Sequence, residues 1–199
     1  IDIEDCSQVA EYRGKIETKD FGNFLVSLAT EYNNALLIIE NSNVGWATIQ
    51  QVIDRSYGNL FYMSNDLKYI DVEKQMVNRH YREERQMVAG FSTTTKTRPL
   101  IISSLDSYIQ NKDILIRSVR LIDELFTFIW NGGRAEAMRG YNDDLTMAMG
   151  IALWVRNTAL RLKQEGIDLT KSMLSSAQVL KYESVYTQNH LKTNPYEID

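Results

Sequence analysis

Three carboxylates stand where a chain can use them for chemistry. Glu40 closes the stretch ALLIIE, and Asp143 and Asp144 follow Asn142 in GYNDDLTMA. Four consecutive apolar residues, Leu36 to Ile39, predict a strand buried on both faces that ends on Glu40 and a turn of mostly small residues. A carboxylate at such a point is costly unless it surfaces, is paired or holds a cation. In open α/β sheets, sites form outside the carboxyl ends of strands, which is where Glu40 is placed. Asn142 is positioned to cap a long helix, putting Asp143 and Asp144 in its first turn. Each feature has an ordinary structural account. Acids at a helix start interact favourably with the macrodipole, and Asn41 and Ser42 suit a turn where a buried strand surfaces. Brought together, however, the three acids would repel one another unless divalent cations lay between them. Hard oxygen ligands of this kind suit Mg²⁺ or Mn²⁺. Two such ions about 4 Å apart are a common device for in-line attack on a phosphodiester.

The elements that must position these acids can be read from periodicity. IDIED and SQVAEYRGKI predict two short strands with antiparallel character, turning near Asp5–Ser7. From Asp20, read as an N-cap, Phe21, Phe24, Leu25, Leu28 and Tyr32 share a helical face. After the strand ending at Glu40, a helix runs from about Gly45 to Arg55 with Trp46, Ile49, Val52 and Ile53 inward. Asn59 to Met63 is a further short strand. The charged stretch from Asn65 to about Gln86, which contains His80, is read as a solvated loop. A Ser/Thr run then leads into a helix near Pro99, since proline suits a first turn. ILIRS (Ile114 to Ser118) is a strand and RLIDELFTFIW a helix with Leu121, Leu125, Phe128 and Ile129 on its apolar side. NGGRAEAM makes a turn and a short strand. In the long helix after Asn142, the apolar face is Leu145, Ala148, Met149, Ala152, Val155 and Ala159, with Gly166 at the C′ position. Met147 and Met149 read as packing, and Trp46 and Trp154 as core. A shorter helix from Asp168, capped by that residue or Thr170, precedes a polar tail from about residue 182 that includes His190. Strands alternating with helices after an opening hairpin indicate an α/β fold, a mixed sheet with helices on both faces.

Composition narrows the functional classes. The 199 residues, 44% hydrophobic, suit one domain with a sizeable core. The single Cys6 excludes an intramolecular disulfide and a cysteine-cluster zinc site, and suits a reducing compartment. No run is long enough to span a membrane. A net charge of -4 means that any nucleic-acid binding relies on local basic patches or bound cations. The absence of G-x-x-x-x-G-K-[ST] leaves no ATP-driven motor in these residues. Because the chain opens at Ile1 rather than Met, it is expected to be an excerpt of something longer.

Four stretches together carry a resemblance: QVAEYRGKI, LLIIENSNVGWATIQQVIDR, GFSTTTKTRPLIISSL and GYNDDLTMAMGIALWVRNTALRLKQEGIDL. In that order the chain resembles the C-terminal nuclease domain of the large terminase subunit of T4-like tailed bacteriophages. The resemblance implies an RNase H-like fold and a domain that cuts concatemeric double-stranded phage DNA at the start and end of packaging. It further implies Glu40 and Asp143 as catalytic metal ligands, with Asp144 a second or supporting ligand. The expected partners are the DNA, the terminase ATPase domain, the portal and the small terminase subunit. The expected location is the host cytoplasm and, transiently, the procapsid portal. The family's first catalytic aspartate lies on a strand preceding IDIED in this register, so that strand is expected upstream of Ile1, with Asp2 a poor substitute. Lys96 and Arg98 beside the Ser/Thr run, and Arg134 and Arg139 before the acidic pair, are candidates for holding DNA phosphates; an ordinary helix start explains the first two equally well. A non-catalytic module that grips DNA or docks on the portal, and a junction-resolving nuclease of the same fold, remain as alternatives.

Overall fold

The computed structural model describes residues 1–64 and 87–161, together with Gln164, Ile167, Asp168 and Lys171. The loop read around His80, the glycine stop at Gly166, a cap at Thr170 and the polar tail with His190 lie outside the described residues. The chain divides into two compact units, Ile1–Trp154 and Val155–Asp199. The described residues of the second unit are helical, and Gln164 Nε2 donates to Asp168 Oδ1, a bond that links adjacent helical turns.

The first unit is mixed α/β. Helix α1 (Thr18–Glu31) starts two residues before Asp20, without a side-chain cap. Helix α2 (Gly45–Asp54) follows, and the two helices pack on each other. Between them, Leu37 bridges Leu60 and Glu40 bridges Phe91, both in parallel. The first bridge closes residues 37–60 into a parallel crossover around α2, held by single bridges rather than by full strands. The second shows that the partner strand is interrupted. After Phe61 the chain departs through an antiparallel pair, β1 (Tyr62–Ser64) with β2 (Met87–Ala89). It then resumes at Gly90, whose N–H donates to Phe61 O, so that Phe91 continues the line that Phe61 left.

This arrangement corrects the expectation that Leu36 to Ile39 are buried on both faces. Leu36 is 42% exposed and Leu37, Ile38 and Ile39 are half-buried. Among the described residues the interstrand hydrogen bonds of this segment all run to one side, toward Asn59–Phe61 and Phe91. Its side chains contact a core of Ile49, Val52 and Leu60. Trp46, at the start of α2, is 48% exposed and Ile53 41%, so neither is core; only Ile49 and Val52 of the expected face are buried.

The opening hairpin is also corrected. Among the described residues IDIED and SQVAEYRGKI form no strand pair: Asp2 N–H donates to Ser7 O, and Ser7, in the second segment, bridges Leu115 in parallel. ILIRS therefore contributes a single bridge rather than a strand. Helix α3 (Thr97–Gln110) begins where the Ser/Thr run predicts a start. Its first turn is held reciprocally: Thr94 Oγ1 accepts from Thr97 N–H, and Thr97 Oγ1 accepts from Thr94 N–H, a capping box built from two threonines. Helix α4 (Val119–Phe126) is capped by Ser118, whose side chain accepts from Leu121 N–H. It stops four residues short of the expected end, because the Thr127 hydroxyl bonds back to Glu124 O and the chain turns into β3 (Phe128–Asn131). Gly132 and Gly133, at φ of +56° and +84°, make the two-residue turn into β4 (Arg134–Ala137), where only glycine adopts both angles easily.

Residues 144–161 form α5. Of the expected face Met149 and Val155 are buried and Leu145 and Ala152 half-buried, but Ala148 and Ala159 are exposed, while Thr146, Met147, Ile151 and Leu153, off that face, are buried. The helix is thus covered on more than one side. Met149 and Leu153 join Cys6, Leu105, Tyr108 and Leu121 in a second core cluster. Both methionines pack as expected, and Trp154 meets Phe91 edge-on at 5.5 Å between ring centres.

Candidate acidic site

Glu40 closes an extended segment that makes isolated bridges at Leu37 and Glu40 rather than the expected strand, and it is exposed and without a hydrogen-bond or ion-pair partner among the described residues. Its backbone is held closely. Gly45, at the start of α2, lies so near that a Cβ there would collide with Glu40 O. Asn41, read as part of a turn, is instead buried; its Nδ2 donates to Ala89 O, and its Oδ1 accepts from the Ser92 hydroxyl at 2.8 Å.

From Ser92 the contacts continue into the start of α3. Ser92 O accepts from the Thr97 hydroxyl at 3.0 Å, and the next residue, Arg98, reaches α5. Its guanidinium donates to Asp143 Oδ2 at 2.5 Å and to Ala135 O at 3.1 and 3.3 Å. The strand end bearing Glu40 and the helix start bearing Asp143 are therefore joined by one line of polar contacts: Asn41, Ser92, Thr97, Arg98, Asp143. Arg98, a candidate for phosphate, is committed to Asp143, with its side chain only 14% exposed.

Asp143 precedes the first helical residue, and its carbonyl accepts from Met147 N–H, so it occupies the cap position assigned to Asn142. Asp144 is exposed and unpaired among the described residues. Lys96 and Arg139 are exposed; Arg134 is exposed and loosely paired with Glu136 at 3.9 Å. Asp2 is exposed and folds back on its own turn, accepting from Glu4 N–H. On donor chemistry the three acids suit a hard divalent cation: all are oxygen ligands, and two have no competing partner. Among the described residues no three His, Cys, Asp or Glu side chains are grouped as a metal centre.

Sequence reasoning missed the most buried acid among the described residues. Glu124, 6% exposed, sits on the inner side of α4 one turn after the buried Leu121, and its carboxylate reaches the start of α5. Arg13 and Arg120 line the same cleft, of about 430 Å³, near Tyr141 and Asn142. Arg13 faces Glu124 at 3.7 Å and Arg120 pairs with Glu11 at 2.6 Å. The available signal was an acid at position i+3 from Leu121, inside the apolar face of α4.

No protein-family model matches the chain, and no curated protein matches it. Among the described residues no helix is long and apolar enough to cross a membrane.

Proposed function

We propose that this chain is a metal-dependent endonuclease domain of a phage DNA-packaging terminase, RNase H-like in fold. It would cut concatemeric double-stranded DNA with little sequence preference, with Glu40, Asp143 and Asp144 holding Mg²⁺ or Mn²⁺. The observation that supports this reading most is the polar line from Asn41 to Asp143, which ties a strand-end carboxylate to a helix-start pair about a hundred residues away in sequence. Such ions, when bound, lower the cost of deprotonating water and stabilise charge on the leaving oxygen of a phosphodiester.

The protein's own part is placement. The close approach of Gly45 fixes the backbone at Glu40, and Arg98 fixes the carboxylate of Asp143 while leaving Oδ1 outside its ion pair. Exposed Lys96, Arg134 and Arg139 supply positive charge for DNA phosphates. The ATPase domain, portal and small terminase subunit are the partners this reading brings with it, and the host cytoplasm and procapsid portal its location.

One observation favours the second reading, a non-catalytic DNA-grip or portal-docking module: Asp143 is already neutralised by Arg98. Nicking of supercoiled plasmid with Mn²⁺ as the only divalent cation separates the two. In protein that carries the family's aspartate-bearing first strand, the nuclease reading expects nicking by the wild type and none by Glu40→Ala. Equal behaviour of the two proteins would favour the grip module.

A further inference from the structure

The acid buried deepest at the start of α5 is not one of the three candidate ligands. Glu124 Oε2 accepts from Leu145 N–H at 2.8 Å, from Thr146 N–H at 3.1 Å and, more weakly, from the Thr146 hydroxyl at 3.5 Å. Its other oxygen, Oε1, is buried without a hydrogen bond and faces Arg13 Nη1 at 3.7 Å. The first amides of a helix have no partners within it, and Thr146 is 1% exposed, so water does not serve its amide. A carboxylate borrowed from α4 fills that role.

The consequence falls on the neighbouring residues. Leu145 directly follows Asp144, and Thr146 lies three positions after Asp143. Fixing those two amides fixes the first turn, and with it the direction in which both aspartates leave the backbone. Arg98 then orients the Asp143 carboxylate from the opposite element. We infer that Glu124 is a positioning residue for the Asp143–Asp144 pair, a carboxylate that sets cation affinity without touching the cation. The inference rests on the metal-site reading above.

The test uses the full chain and Mn²⁺ alone, with two readouts: affinity by calorimetry, and amide hydrogen exchange at Leu145 and Thr146 by NMR without metal. Glu124→Ala should lose protection at both amides and weaken Mn²⁺ binding about 10–100-fold, the usual range when a group that orients a ligand is removed. Glu124→Gln keeps an acceptor for the two amides and should hold both readouts, with affinity within about threefold of wild type. Glu124→Asp keeps the charge but shortens the arm by one methylene. It should show the loss as well, and it serves if the alanine variant does not fold. Wild-type Mn²⁺ affinity in a variant whose amides have lost protection would overturn the role assigned to Glu124, as would unchanged protection in Glu124→Ala. A wild-type protein that takes up no Mn²⁺ would instead refute the metal-site reading itself, and the positioning role with it.

Discussion

Arg98 holds more at the candidate site than any other single side chain. It serves the carboxylate of Asp143, at the cap of α5, and a buried carbonyl on β4 from the first turn of α3. Arg98→Ala should therefore cost about 1–3 kcal/mol by urea unfolding, because the Ala135 carbonyl and Asp143 lose their donor in a partly buried setting. A loss under about 0.5 kcal/mol would mean that water replaces the guanidinium freely. Glu40→Ala should change stability by no more than about 0.5 kcal/mol, since that side chain is exposed and unpaired among the described residues. At this scale the sequence was informative about acids and weak about their partners. Glu40, Asp143 and Asp144 stood out because strand ends and helix starts are visible in hydrophobic periodicity. The pairing of Arg98 with Asp143 spans 45 positions and leaves no local pattern. Glu124 was hidden because an acid on an amphipathic helix ordinarily belongs to the solvated face.

Among the elements, α2 was the most legible, its bounds within one residue of those expected, and the packing around it makes two predictions. Gly45 is hemmed in by Glu40 O, whereas Gly58 has open space around its α-carbon. Gly45→Ala should destabilise by about 1–3 kcal/mol, the usual range for forcing atoms into a filled space. Gly58→Ala should stay within about 0.5 kcal/mol of wild type, and equal urea midpoints for the two would contradict the close approach. Tyr57, just past α2, donates its hydroxyl to Ala35 O at 2.6 Å, and burial pushes its phenol above the ordinary 10.0. The unfolded phenol ionises first as pH rises. Stability from this group is thus complete below about pH 10 and lost on passing upward through the folded value. Tyr57→Phe should flatten the alkaline fall in unfolding free energy; an unchanged slope would contradict the assignment. Where element reading failed, tertiary partners decided. The run RLIDELFTFIW has helical periodicity throughout, yet its end pairs with Arg134–Ala137 across Gly132–Gly133. The alternation in SQVAEYRGKI did not make a hairpin, because the segment's backbone partner is Leu115.

For the molecule as a whole, the mixed α/β class followed from alternating strand and helix patterns, and the parallel unit around α2 bears that out locally. Sheet order was not legible. The strand running through Asn59–Phe61 resumes only at Phe91, and a sequence gives no sign that two such distant pieces share one line. The proposed metal site requires that Glu40 and the helix-start acid Asp144 hold the same cation. A double-mutant cycle of Mn²⁺ affinity tests it most directly, using Glu40→Gln, Asp144→Asn and the pair, since both side chains are exposed and neither change should disturb folding. If one cation uses both carboxylates, removing either weakens binding and the double variant departs from the sum by more than about 0.5 kcal/mol. Effects that add to within that margin, or wild-type affinity in either single variant, would contradict a shared site.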